Sequence, residues 1–225
     1  MIVPAIRTKP TREQFAAALV SAWPKGNCSP LVGAIMFGQF AFETGWGDHC
    51  FCWNLGNVRA TSEWERSHDS FELPGAWEIV NGKRIVTGGR FRAHASLREG
   101  MESHVAFLSG MRIYAPAFEV LVQASFVPFT KAAARYYADR FVYALKAGGF
   151  FTGPLVEYAS GVGVIAAGLM ETDLEPLESE PEVLATTLSQ ASVAPSEWGT
   201  LTVAQAYDRF GFRGVCFDEE GKVCR

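Results

Sequence analysis

The sequence predicts a mainly α-helical domain with one small β-hairpin lobe, followed by a short C-terminal appendage. Three observations carry this. Apolar residues recur at helical spacing in a series of capped segments between residues 11 and 170. A single Asn81-Gly82 pair divides two apolar-rich runs, the strongest short signal for a hairpin. After Met170 the composition turns acidic and loses its periodicity.

The first helix starts at Thr11, an N-cap that follows Pro10 and precedes REQFAAALVSAW, with Phe15, Ala18, Leu19 and Ala22 at helical spacing. Pro24 and Gly26 stop it. The second starts at Ser29-Pro30, serine as cap and proline at the first helical position. It runs through LVGAIMFGQFAFE with apolar residues on every side, which predicts a helix buried all round, and Gly45 stands at its C-terminal cap. Residues 48–70 read as irregular. AWEIV, Asn81-Gly82 and KRIVTGGRFRAH read as the hairpin. Helical patterns return from Ser96 and continue over Ala115–Leu121, Phe129–Leu145 and Pro154–Met170. The stretch ETDLEPLESEPE (171–182) holds six acids, two prolines and no base, so 171–196 reads as a solvated linker. Residues 197–225 read as a small module or docking tail, with a hairpin flanked by Cys216 and Cys224 placed for a cross-strand disulfide.

With 48% hydrophobic and 13% aromatic residues the chain can build a sizeable core. Its net charge of −4 argues against a nucleic-acid binder, which needs a basic face. The richest apolar stretch, Pro30 to Phe42, is interrupted by Gly33, Gly38 and Gln39 and is too short to span a membrane. The opening MIVPAIRTKPTREQF has no apolar signal region, which predicts synthesis in the cytosol without a signal peptide. The five cysteines are odd in number and do not form a disulfide framework. His49, Cys50 and Cys52 crowd together, but no second ligand pair accompanies them, so no metal is predicted. A Cys50 or Cys52 nucleophile would need a base that no pattern supplies. His104 shares a helix with Met101, Phe107 and Leu108 and reads as a packed or hydrogen-bonded core histidine rather than a catalytic base.

The stretch FAFETGWG (40–47) places one carboxylate, Glu43, at the end of the greasiest helix. Burial there raises a carboxyl pKa, and an acid protonated near neutrality is what glycoside cleavage requires of its proton donor. Trp46 offers a flat apolar face for a sugar ring. The competing reading is a helix-end glutamate that simply faces solvent.

The segments ETGWG (43–47), WNLGNVRA (53–60), GRFRAHASLREGMESHVAFL (89–108), RIYAPAF (112–118) and KAGGFFTGPLVEYAS (146–160) follow one another in an order that resembles glycoside hydrolase family 73. This is the group of flagellar-rod and autolysin peptidoglycan N-acetylglucosaminidases. The resemblance covers residues 11–170 and implies a lysozyme-like fold, an α-helical lobe and a small β-lobe with a cleft between them. It places Glu43 at the general-acid position. It places Glu78, shortly before Asn81-Gly82, at the second acidic position, with Glu72 close by in sequence. It puts Tyr114 and Tyr158 at the family's cleft tyrosines, with Trp46 and Asn54 lining the cleft. For both tyrosines a core aromatic is the alternative. The sequence departs from the family at Gly56-Asn57, where Phe-Gly stands, at His94, where a tyrosine stands, and at Gly153-Pro154, where Asp-Pro stands.

The function this implies is cleavage of the β-1,4 glycan strand of peptidoglycan after N-acetylglucosamine, by a monomer that needs no metal or cofactor. Glu43 protonates the leaving oxygen, and Glu78 or the substrate's own acetamido group assists the water. A lytic transglycosylase or muramidase on the same glycan, and a non-catalytic wall-binding module, remain open. A wall-degrading domain with no signal peptide suggests an endolysin, a virion lysin or an injected effector, with delivery machinery or an immunity protein as partner. Its site of action would be the periplasm or wall.

Overall fold

Thr11 caps the first helix as expected. In the computed structural model its hydroxyl accepts from the Gln14 N–H at 3.2 Å, and the Gln14 side chain accepts from the Thr11 N–H at 2.9 Å. This is a reciprocal capping box with glutamine in place of glutamate. The structure describes residues 1–24, 28–80 and 83–169. The Asn81-Gly82 turn, the linker 171–196, the module 197–225 and the Cys216–Cys224 pairing lie outside these residues.

Six α-helices are present among the described residues: α1 (Arg12–Ala22), α2 (Pro30–Thr44), α3 (Leu97–Gly110), α4 (Ala115–Ala124), α5 (Lys131–Ala147) and α6 (Leu155–Gly168). Three more begin at side-chain caps. Ser29, Ser96 and Thr130 accept from N–H groups in the first turns of α2, α3 and α5. Helix α2 runs through the middle of the α-lobe, packed against α1, α4, α5 and α6. Leu31, Val32, Ile35 and Met36 are 0–1% exposed, so the apolar character on every side of this helix matches its burial. No single helix among the described residues is long and apolar enough to cross a membrane.

Two glycines bring α6 unusually close to α2. A Cβ at Gly38 would stand 2.8 Å from the Val162 carbonyl oxygen, and a Cβ at Gly161 would collide with the Phe42 ring. The sequence reading took Gly38 as an interruption of an apolar run. In the fold it is the contact point that lets α6 press against the end of α2.

The β-lobe lies between α2 and α3 in the chain and differs from the predicted single hairpin. Strands β2 (Trp77–Val80) and β3 (Lys83–Val86) pair antiparallel, Val80 opposite Lys83 and Trp77 opposite Val86. The run predicted as one strand then breaks at Gly88 and Gly89, whose φ values are 58° and 155°. Strand β4 (Arg90–Arg92) turns away to pair with β1 (Ser70–Glu72), to which the sequence reading assigned no strand. Three residues give too short an alternation to detect. Phe71, Phe91, Ala93 and Cys52 form a small core under this second sheet. The N-terminal segment ties on beside it: Val3 N–H donates to Ser70 C=O at 2.8 Å, and Cys52 N–H to Ile6 C=O at 2.8 Å.

Candidate active site

Glu43 is the penultimate residue of α2, and the chain behind it is folded back hard. Gly45 takes a left-handed conformation (φ 56°) as the helix cap. Thr44 ties off the end, its hydroxyl donating to Phe40 C=O at 2.7 Å and accepting from Gly47 N–H at 2.9 Å. Trp46, Cys52, Trp53 and Asn57 all hold positive φ between 48° and 60°. Non-glycine residues avoid this region, so four of them within twelve positions concentrate backbone strain directly behind Glu43.

The Glu43 side chain is half-buried. Tyr158, in the first turn of α6, donates its hydroxyl to Glu43 Oε1 at 2.5 Å. The close α2–α6 approach at Gly38 and Gly161 is what brings the two together. The Tyr158 ring stacks on Phe151 at 4.0 Å and leans on Phe42 at 4.7 Å. Lys146 fixes the Phe151 loop, donating to Phe151 C=O at 3.2 Å and Gly153 C=O at 2.9 Å. The hydroxyl therefore sits on a braced ring.

Burial lifts the Glu43 pKa from 4.5 to about 7, against the opposing pull of the Tyr158 hydrogen bond. Tyr158 is pushed well above the usual tyrosine value, first by burial and then by the Glu43 charge. The phenol therefore stays a donor at every working pH. Glu43 is an acid that still holds its proton through much of the neutral range, beside a fixed donor.

The other predicted residues fall into different settings. Trp46 is 48% exposed, its ring edge against Phe37 at 6.1 Å with the Arg12 guanidinium 6.0 Å away. The exposed indole thus packs toward α1, whereas Glu43 meets Tyr158 of α6. Asn54, expected on the cleft wall, is 2% exposed. Its amide donates to Val58 C=O at 2.9 Å and accepts from Val58 N–H at 2.8 Å, closing the 54–58 loop from inside. Tyr114, expected in the cleft, is 7% exposed and packs on Phe107 at 5.0 Å and Phe150 at 5.7 Å, as a core aromatic does. Glu78 lies on β2 opposite Ile85, and its side chain is outside the described residues. Its neighbour Glu72 is engaged elsewhere, accepting from Arg90 Nε at 3.0 Å on the surface.

Sequence reasoning gave no role to two residues near Glu43, Asn57 and Gln39. Asn57 donates its amide to the Glu43 carbonyl oxygen at 2.9 Å and holds φ 49°. It stands where the family motif has glycine, and asparagine is the side chain that best tolerates that backbone while adding a bond. Gln39 and His104 are buried at 1% and 5% exposure and face one another, with His104 Nε2 3.3 Å from Gln39 Oε1. Gln39 precedes Glu43 by one helical turn, and that spacing was readable from the sequence. His104 was read as a packed or hydrogen-bonded core histidine, and it is buried with Gln39 as its partner, which was not foreseeable.

The chain matches no family model and no curated protein. Among solved structures it is similar to a peptidoglycan hydrolase mutant from Sphingomonas sp. A1, at 25% identity and a TM-score of 0.47 over 69% of this chain and 92% of that one. It is also similar to the glycoside hydrolase domain of FlgJ from Salmonella typhimurium, at 20% identity and a TM-score of 0.43 over 81% of this chain and 98% of that one. A C-terminally truncated form of that domain aligns at 20% identity and a TM-score of 0.44, over 71% of this chain and 95% of that one.

Proposed function

We propose that this chain is a peptidoglycan hydrolase that cuts the β-1,4 glycan strand after N-acetylglucosamine, with Glu43 as the proton donor. The observation that carries the reading is the Glu43–Tyr158 pair, a carboxyl raised to about 7 by burial with a phenol hydroxyl 2.5 Å from one oxygen. The resemblance of the ordered segments to glycoside hydrolase family 73 supports peptidoglycan as the substrate that such an acid would serve.

The chemistry follows from the pair. With Tyr158 donating to Oε1, the acidic proton resides on Oε2, the oxygen left for the substrate. It passes to the glycosidic oxygen as the C1–O bond breaks. Glu43 then becomes a carboxylate in an apolar setting, and the Tyr158 hydrogen bond gains strength as that charge develops. Stabilisation that grows toward the transition state lowers the barrier rather than only tightening binding. At the anomeric carbon, water attack is assisted by Glu78 or by the substrate's acetamido oxygen. Trp46 supplies an apolar face to a sugar ring. Asn54 and Tyr114 act on the site through the loop and core they brace.

The test is mass spectrometry of purified peptidoglycan after digestion by the wild type and by Glu43→Gln. Reducing N-acetylglucosamine ends from the wild type alone are expected. Anhydro-muramic ends would assign a lytic transglycosylase, and reducing muramic acid ends a muramidase. Folded wild-type protein that binds the wall without cutting it would leave a binding module.

A further inference from the structure

Arg92 lies in GRFRAH (89–94), part of the resemblance to family 73, and the reaction above gives it no role. We propose that its guanidinium binds a carboxylate of the peptidoglycan strand, carried by the muramic acid on the leaving side of the cut bond or by that sugar's stem peptide. The inference rests on the reading of this chain as a peptidoglycan hydrolase. It deepens that reading by adding an acidic substituent to what the enzyme recognises.

The head group is held in place without being satisfied. Its central carbon lies 4.4 Å from the ring centre of Trp64 and 4.9 Å from that of Phe107. Two aromatic rings fix a guanidinium but offer its N–H groups no oxygen. Arg92 Nε is buried and has no hydrogen-bond partner among the described residues. Burial pulls the Arg92 pKa below the usual arginine value, and no carboxylate pulls it back. The carboxylates across the β1–β4 sheet are taken by Arg90, which reaches Glu65 at 3.2 Å and Glu72 at 3.0 Å. A half-buried cation without a counter-ion costs stability, and methionine would fill the slot between the rings without that cost. A planar fork already fixed by its rings is preorganised for a carboxylate, which takes two parallel N–H bonds. With Nε enclosed, the two terminal nitrogens form the end of the fork that a ligand can reach.

Two routes connect this arginine to the acid. One is a run of aromatic rings. Tyr158, bonded to Glu43, stacks on Phe151 at 4.0 Å. Phe150, next to it in the chain, meets Phe107 at 6.2 Å, and Phe107 meets the guanidinium. The other route is backbone. Arg92 N–H donates to Val58 C=O at 3.1 Å, and Asn57, beside Val58, holds the Glu43 carbonyl oxygen at 2.9 Å. A strand with its scissile bond at Glu43 thus has a cation a few residues away along either route. The chemistry of the strand names what meets it. N-acetylglucosamine is neutral, so the acidic groups belong to muramic acid. A cut after N-acetylglucosamine leaves a muramic acid directly beside the protonated oxygen. Its lactyl group is a carboxylate where the peptide is absent, and where the peptide is present the stem carries the carboxylates.

The experiment is calorimetric titration of Glu43→Gln, which keeps the strand uncut, with three probes. The first is a tetrasaccharide of alternating N-acetylglucosamine and muramic acid bearing its stem peptides. The second is that fragment with its carboxyl groups converted to amides. The third is the fragment stripped of its peptides, which leaves the lactyl carboxylates. The first probe should bind about tenfold more tightly than the second. Adding Arg92→Met should bring the first probe down to the affinity of the second and leave the second unchanged. The third probe assigns the source: affinity like the first points to the lactyl group, and affinity like the second to the stem peptide. Equal binding of the first and second probes, or an Arg92→Met variant that weakens both alike, would overturn the proposal, because the arginine would then only brace its two rings. Arg92→Gln is read in the same way if Arg92→Met does not fold, and failure of both to fold also counts against the site. If Glu43→Gln still cuts the strand, the proton-donor reading fails. N-acetylmuramyl peptide, which has no glycosidic bond, then serves as the probe, and its binding with and without Arg92→Met still decides whether the arginine holds a carboxylate.

Discussion

Glu43 is protonated in the fold at pH values where it would be ionised in the unfolded chain, and this sets the sign of its contribution to stability. Its folded pKa of about 7 lies above the reference value of 4.5. The folded state therefore binds the extra proton between those values, and stability is lost as pH rises through them. Glu43→Gln removes that loss. Thermal denaturation should show the variant more stable than the wild type by about 3 kcal/mol at pH 8 and nearly equal to it at pH 4. Equal differences at both pH values would mean that burial does not raise this carboxyl. Tyr158→Phe tests the other half of the pair. It keeps the ring on Phe151 and removes the hydroxyl, so kcat should fall by roughly 10- to 100-fold while KM changes little.

At the scale of elements, the site depends on how closely α6 approaches α2. Gly161→Ala puts a methyl into the Phe42 ring, and Gly38→Ala puts one against the Val162 carbonyl. Each should cost about 1–3 kcal/mol in urea unfolding. Each should also lower turnover, because separating the helices lengthens the Tyr158–Glu43 contact. A stable Gly161→Ala enzyme with full activity would show that the close approach is dispensable. The loop behind α2 has its own test at Asn57. Asn57→Gly keeps the left-handed backbone and loses only the bond to the Glu43 carbonyl. Asn57→Ala loses both, so it should be the less stable of the two, by about 1 kcal/mol in the same assay.

For the whole molecule, three buried titratable groups pull the pH dependence of stability in opposite directions. His94 and His104 are held near 4 by burial. The unfolded chain takes up their protons below about 6.5, so stability falls as pH drops from there toward 4. Glu43 acts in the opposite sense up to about 7. Two histidines outweigh one carboxyl until about pH 7, which places the maximum Tm of the described domain near pH 7 on these groups alone. A scan of Tm against pH checks this. The maximum should broaden to the alkaline side in Glu43→Gln and to the acid side in a His104→Gln variant.

The sequence by itself determined the helices, because each carries its own apolar spacing and four carry their own cap: Thr11, Ser29, Ser96 and Thr130 start α1, α2, α3 and α5 through bonds made within a few residues. It also marked Glu43, since a lone carboxylate at the end of an all-apolar helix stands out without coordinates. What the sequence could not hold was anything fixed by contact between distant segments. Strand β1 exists because β4 lies beside it, and three residues encode no period of their own. Asn54 and Tyr114 sit where family motifs place cleft residues, yet their side chains turn into a loop and a core, a choice made by neighbours such as Val58 and Phe107. The partnership of Glu43 with Tyr158 spans 115 residues and rests on two glycines that let helices touch. Local bonds write secondary structure into the chain. The acidity of one carboxyl is a property of what surrounds it, and only the tertiary fold assembles those surroundings.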